Sequence, residues 1–482
     1  MTDDTIRREL QSTRTKLFYG FGSVAFGIKD NGFQTILLLF YNQVIGLPGE
    51  LVGAAIAIAL FFDAFLDPIV GQFSDNLRTR WGRRHPLMYA SALPVAVSYL
   101  LLWNPPHWSH QALFFYLVVV AIVVRTFITF YEVPSSALAP ELTDDYDQRT
   151  SFLSYRLFFA WYGGLTMLAL AYAVFLRPDA THKIGQLNQT GYSHYGITAA
   201  VIMFAAILIS AWGTHKFIPY FRVPEQRRVP VSQNIREMFA ALSNRPFLVL
   251  MSSGLLFYLA TGLFFALNIY LQTYFWALSN IQIFVLTLSS FISVLISFLI
   301  ALPLSRRFGK KSAAIYLFAF GLVISSAPVV LRLVGWFPPN GAPVLLPLLF
   351  AFATVGLALS IASSILLVSM LADVVEDNEL KTGRRSEGLF FAGNSFLQKA
   401  VSGLGVFASG LVLAVVHFPQ NAIPGHVDPV IIRNLALVYL PLVMVLYGVA
   451  MAIIGLYPIS RESHAENLRK LAAETAQAAP EL

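Results

Sequence analysis

A helix of about 20 predominantly apolar residues is long enough to cross the hydrocarbon of a bilayer. Apolar stretches of that length recur along this whole chain, at approximately 17–45, 50–76, 87–103, 111–138, 150–176, 195–220, 246–275, 281–305, 313–333, 343–372, 386–417 and 431–459. In lipid, every backbone N–H and C=O must find its partner within the segment, so each stretch is expected to be a helix. Charged residues make up 12% and apolar residues 56%, against roughly 25% charged in a soluble domain. Too little charge is present to cover a soluble surface of this size. The expected class is therefore an all-α membrane protein with twelve transmembrane helices. Cysteine is absent, which removes disulfides and thiolate metal sites. Residues 1–16 are polar and charged, so no cleavable signal peptide is expected and the first apolar run stays as a membrane helix.

The formal charge of +7 is no sign of nucleic acid. The basic residues form short clusters between apolar runs, the pattern of membrane loops. Arg78, Arg80, Arg83 and Arg84 follow the second segment, and Arg306, Arg307, Lys310 and Lys311 follow the eighth. Loops on the opposite side hold only Arg177, Lys183, Arg332 and Arg433. An even number of segments puts both termini on one side, and the positive-inside rule makes that side the cytoplasm of an inner membrane. The two halves also look alike. WGRRHP (81–86) is matched by RRFGKKS (306–312), and PELTDDYDQRTS (140–151) is matched in place and acidity by ADVVEDNELKTGRRS (372–386). This predicts an N-terminal six-helix bundle (1–220), a central linker (221–245) with a short surface helix at 232–242, and a C-terminal bundle and tail (246–482). Two such bundles around a midplane site suit a transporter.

Charges within the apolar segments carry the chemistry, because an ionised side chain at the bilayer centre costs several kcal/mol and usually lines a polar cavity. Asp63 and Asp67 in FFDAFLDPIVGQFSD share one helix face at i,i+4. Two acids so close repel and call for a cation or a shared proton, and Pro68 loosens the backbone beside them. They form a candidate Na⁺ or H⁺ site; the alternative is that one of them pairs with an intramembrane Arg. Glu132, in RTFITFYEVPSSALAP, has Thr129 and Arg125 on its own face. Thr129 offers an oxygen ligand or a bond back to the helix, and Arg125 either partners Asp63 or Glu132 or contacts substrate. Asp30 lies beside Lys29 in sequence; neighbours point to different helix faces, so Asp30 is expected to need another partner. Arg156 and Lys399 complete the set. Four acids and four bases could also neutralise one another as a static core. Tyr19, Tyr131, Tyr155 and Trp161 could stack on a sugar ring or serve as packing and interface anchors. No Walker loop, GxGxxG, HExxH or Ser–His–Asp spacing stands out, so neither catalysis nor a cofactor is expected.

The strings DAFLDPIVG and SDNLRTRWGRRHP, with YGFGSVAFGIKD (19–30), YEVPSSALAP (131–140) and EDNELKTGRRSEG (376–388), resemble the glycoside–pentoside–hexuronide:cation symporters. The resemblance implies a major facilitator fold and symport of a sugar with H⁺ or Na⁺ by alternating access. It makes Asp63 and Asp67 the cation-binding acids (the Na⁺ ligands if sodium is coupled) with Thr129 as their hydroxyl partner. Asp30, Glu132 and Arg156 fall at the sugar, and Lys399 lies near both. Arg125 is a further candidate for substrate. Asp75, Arg83 and Arg84, with the loops after segments four and ten, are expected to hold the cytoplasmic gate by ion pairs. Three departures stand out: Glu132 replaces an Asp, Leu66 replaces a residue that can be polar, which favours H⁺ over Na⁺, and Arg125 adds a charge. Because the superfold also serves lysolipid transport, an amphipathic anion is the alternative substrate. The expected partners are a small molecule and the bilayer, for a monomer with no nucleic acid.

Overall fold

The computed structural model describes residues 9–10, 12–143, 145–179, 183–221, 244–382, 387–459 and a few positions between 462 and 469. The linker helix expected at 232–242, and part of the loop expected to serve the gate after segment ten, lie outside them. Every long element is helical: α1 (Thr13–Phe21), α2 (Ser23–Asn31), α3 (Leu37–Leu39), α4 (Gly49–Asn76), α5 (His85–Leu102), α6 (His110–Leu142), α7 (Tyr146–Leu170), α8 (Gln189–His215), α9 (Arg245–Tyr270), α10 (Asn280–Phe308), α11 (Lys310–Leu333), α12 (Leu345–Thr382), α13 (Glu387–Val415) and α14 (Pro429–Ile454). Among the described residues, 11 helices are long and apolar enough to cross a membrane. The first expected segment is not among them, because it is divided by a break at Gly22 between α1 and α2 and a π-helical turn at Gly32–Ile36 between α2 and α3, with a second π-turn at Phe40–Val44 after α3. The lipid-facing side shows in exposed Phe298, Leu299, Trp212 and Val201, which no soluble protein would present in such numbers.

The helices fall into two compact units that cut across the expected division of the chain. The first unit holds the N-terminal half together with Gly262–Thr287 and Ser402–Leu435; the second holds 229–261, 288–401 and 436–482. In the first unit, α2 lies directly on α7 because both carry glycine at the crossing. A Cβ on Gly27 would come within 2.0 Å of the Ala160 carbonyl, and one on Gly164 within 2.5 Å of the Gly27 carbonyl. Small residues permit this approach where no hydrophobic effect drives helices together.

The internal repeat is visible within each unit taken separately. Gly82 (φ +72°) and Gly309 (φ +78°) both adopt the left-handed conformation, where a Cβ is penalised. Each turns the chain so that two basic residues follow, and each pair meets an acid near the end of a long helix. Arg83 Nη2 lies 2.7 Å from Glu141 Oε1, and Lys310 Nζ 2.5 Å from Asp373 Oδ1. In the second unit Lys311 donates to the Tyr457 carbonyl at 2.9 Å, and the Tyr457 hydroxyl donates to the Met370 carbonyl at 2.9 Å. Burial, then the Asp373, Asp377 and Glu376 carboxylates, push the Tyr457 phenol far above its usual range, so it remains a donor.

Candidate functional site

Five of the eight intramembrane charges stand on three helices of the first unit that pack side by side. α4 carries Asp63 and Asp67 and runs unbroken through Pro68, α6 carries Arg125, Thr129 and Glu132, and α7 carries Arg156; Lys29 and Asp30 close α2.

The most buried part is a two-headed contact. Arg125 donates from Nη2 and Nε to the same Asp63 oxygen at 2.8 and 3.1 Å. The Thr129 hydroxyl donates to the other Asp63 oxygen at 2.8 Å and lies 3.4 Å from an Asp67 oxygen. One hydroxyl proton cannot serve both acids, and the shorter distance assigns it to Asp63. Asp63, Arg125 and Thr129 are all buried, and the guanidinium sits 5.3 Å over the Phe33 ring. Of the roles expected for Arg125, the structure selects partner of Asp63. The structure also favours, for Asp63, the alternative of pairing with an intramembrane Arg.

The second part is more open. Lys29 Nζ lies 2.7 Å from Asp30 Oδ1 and 3.9 Å from Glu132 Oε2. The expectation that Asp30 must look elsewhere than Lys29 is therefore wrong: the lysine stem is long enough to bring its ammonium round to the adjacent carboxylate. Lys29 is 1% exposed, whereas the Asp30 and Glu132 side chains are 43% and 23% exposed. The buried lysine thus sits between two carboxylate side chains that are each partly exposed. Arg156 donates to the Ser135 hydroxyl at 2.7 Å and to the Glu132 backbone carbonyl at 3.1 Å, 4.9 Å over the Phe26 ring. It is anchored to the same turn of α6 that carries Glu132. Lys399 is half-buried on α13 and belongs to the second unit.

Of the aromatics considered for stacking, Tyr19 and Tyr131 are wholly buried packing residues. Tyr19 meets Phe152 edge-on, and the Tyr131 hydroxyl donates to Ser210 at 3.0 Å. Trp161 is 47% exposed. At the basic end, Asp75, Arg83 and Arg84 come together as expected: Arg84 reaches Asp75 at 2.5 Å, Glu141 at 3.0 Å and the Ser74 hydroxyl at 3.0 Å. Glu141, which lies in the acidic loop named for this role, is the acid both arginines share.

Sequence reasoning overlooked the opposite end of the first unit. Asn42 and Gln43 are both 2% exposed. The Tyr270 hydroxyl donates to Asn42 at 2.8 Å; Gln43 Oε1 accepts from the Tyr274 hydroxyl at 3.1 Å and the Ala422 N–H at 2.8 Å, while its amide donates to the Pro419 carbonyl at 3.1 Å. Gln186 and Asn280 add bonds to the Leu278 and Tyr172 carbonyls at 2.8 and 3.1 Å. Three π-helical turns, Phe40–Val44, Ala171–Phe175 and Leu271–Phe275, supply several of these groups, in keeping with the frequent presence of such turns at functional positions. The amide pair interrupting the apolar run FYNQVIG was the available signal.

Comparison with known proteins gives the lineage. Residues 18–461 match the family described as MFS/sugar transport protein. The chain belongs to that family. The resemblance to the glycoside–pentoside–hexuronide:cation symporters stands with it: the inner membrane symporter YicJ of Escherichia coli is 26% identical over 85% of this chain and 84% of its own. The isoprimeverose transporter of Lactiplantibacillus pentosus is 23% identical over 86% and 83%. The sodium-dependent lysophosphatidylcholine symporter 1 of Xenopus tropicalis is 25% identical over 95% and 90%. Among solved structures, the inward open xylose transporter XylE of E. coli superposes over 95% of this chain and 98% of its own, with a TM-score of 0.62 at 14% identity. That likeness bears on the fold alone, which is the major facilitator fold.

For this family member the fit of a sodium ion can be judged on the donor set. Thr129 and one oxygen each of Asp63 and Asp67 converge, but a guanidinium already holds Asp63. Among the described residues no group of three or more His, Asp or Glu is placed to hold a metal.

Proposed function

We propose that this protein is a cation-coupled symporter that takes up a sugar (a glycoside, pentose or uronide) by alternating access, acting as a monomer with both termini in the cytoplasm. The observation that carries the reading is the division of the buried charges into a closed group and an open one. Asp30 and Glu132 present carboxylate oxygens held by Lys29, and Arg156 is fixed on the same turn as Glu132. Carboxylates accept paired hydroxyl donors, which sugars supply on adjacent ring carbons. Lys399 is a further candidate for contact with the substrate or the coupling group. Asp67 and Thr129, with Asp63 behind them, form the coupling centre. Neutralising Asp67 would favour the loaded, closed carrier over the empty one, which is the differential binding that coupling requires. Arg83, Arg84, Asp75 and Glu141 would hold the cytoplasmic gate. No catalytic step is assigned to any residue.

Carboxylates that accept hydrogen bonds suit the many hydroxyl donors of a sugar, whereas the phosphocholine head of a lysolipid offers no N–H or O–H to them. The experiment is uptake into proteoliposomes under imposed Na⁺ or H⁺ gradients, with labelled glycosides, pentoses, uronides and lysophosphatidylcholine. Gradient-driven accumulation of a sugar, abolished in D30N and E132Q, is expected. Accumulation of the lysolipid alone would replace the sugar reading, and downhill uptake indifferent to both gradients would remove coupling.

A further inference from the structure

Asp63, Asp67 and Thr129 look like the start of a site for a monovalent metal ion: two carboxylates four residues apart, with a hydroxyl 2.8 and 3.4 Å from one oxygen of each. A positive charge from the chain itself is already there. Both oxygens of Asp63 are engaged, one by Nη2 and Nε of Arg125 at 2.8 and 3.1 Å and the other by Thr129. Arg125 is 2% exposed and stacked over Phe33. A guanidinium stays charged at any pH a protein meets, and its fork matches a carboxylate better than a spherical ion does. A sodium ion at Asp63 would have to push a buried guanidinium off its hydrogen bonds, or share the carboxylate with a fixed positive charge where screening is weak. The sequence points the same way at the neighbouring position: Leu66, one turn from Asp63 and beside Asp67, brings no oxygen ligand.

We propose that Arg125 is a built-in cation that closes the Asp63 site to sodium, and that this one residue sets the ion selectivity of the chain. The inference rests on the symport reading for the role of the site, but it concerns sodium binding and can be tested without a substrate.

The full-length protein in nanodiscs is titrated with sodium against choline at constant ionic strength, reading the melting midpoint and the binding of radiolabelled sodium. Wild type is expected to show no saturable response. R125M, which leaves Asp63, Asp67 and Thr129 without the guanidinium, is expected to gain a saturable rise in midpoint of about 2–4 °C, and D63N/R125M to lose it. R125K retains a cation and is expected to behave as wild type. Saturable sodium binding by wild type that D63N abolishes would overturn the proposal, as would folded R125M that ignores sodium. R125M is purified in parallel in sodium and in choline, and recovery in sodium alone counts as the gain. If it is recovered in neither, wild-type binding decides: saturable uptake of label lost in D63N overturns the proposal, and its absence upholds it. The assay contains no sugar, so a failure to find sugar uptake would remove the symport reading and leave this result intact. Sodium-driven sugar uptake by wild type that D63N abolishes would do the reverse.

Discussion

Replacing Asp63 or Arg125 alone should be far more damaging than replacing both. At 2.8 Å and an effective dielectric constant of 20, the gross attraction of the pair is about 6 kcal/mol, set against a desolvation cost of several kcal/mol per ion. The net worth of the pair is therefore small, but the cost of orphaning either member is not. D63L leaves the Arg125 charge buried beside Phe33 with its two acceptor contacts gone. R125M leaves the Asp63 carboxylate with the Thr129 hydroxyl and the repulsion of Asp67. Each single variant is expected to lose about 3–5 kcal/mol. The double variant D63L/R125M, which removes both charges and replaces them by apolar side chains of similar size, is expected to lose about 1 kcal/mol or less, giving a coupling energy of about 5 kcal/mol or more. The assay is equilibrium unfolding in mixed micelles with rising SDS, followed by tryptophan fluorescence in choline buffer. If the two single losses simply add in the double variant, the pair is not coupled, and the account of a closed, self-neutralised group fails.

Other parts of the molecule make separate predictions. E141Q removes the acid shared by Arg83 and Arg84; if the pairing steadies the closed gate by about 1.4 kcal/mol, uptake should fall about tenfold, and unchanged uptake would detach this cluster from gating. G27V forces a side chain into the Ala160 carbonyl, 2.0 Å from the nearest allowed Cβ; overpacking of this severity should cost about 3 kcal/mol or more, read as lost monodisperse protein on size-exclusion chromatography. S135A takes a 2.7 Å acceptor from Arg156; KM should rise about tenfold with kcat little changed, whereas an equal fall in kcat would place Arg156 in the transport step itself. Q43A deletes, besides the bond to neighbouring Asn42, three longer-range hydrogen bonds of about 1 kcal/mol each at the end opposite the gate. Because the chain has no native cysteine, Thr273→Cys, at a site 1% exposed, can report opening there. Its labelling by an impermeant maleimide should accelerate about a hundredfold in Q43A, and an unchanged rate would mean that the latch lies elsewhere.

Apolar run length determined the class and very nearly every helix by itself, because in hydrocarbon a segment has no alternative to satisfying its own backbone. α4 was expected at 50–76 and spans Gly49–Asn76; α11 was expected at 313–333 and spans Lys310–Leu333. The first segment was legible as a length but not as a broken helix, since nothing in its apolarity marks where π-turns fall. The i,i+4 spacing of Asp63 and Asp67, and the steps of four and three residues through Arg125, Thr129 and Glu132, fixed which faces carry charge. Helical period is a local property, and so it can be read from a string.

What the string left open was who pairs with whom. Arg125 is seven residues from Glu132 on one face of α6, yet it bonds to Asp63 on α4, because the packing of those two helices brings its guanidinium there. Lys29 was set aside as pointing away, and its flexible stem turns it onto Asp30. The amides Asn42 and Gln43 acquire their tyrosine partners from residues more than two hundred positions later. A charge inside a membrane helix announces from sequence that it must be compensated. Its partner depends on side-chain reach and helix crossing, which are set in three dimensions and which no local period encodes.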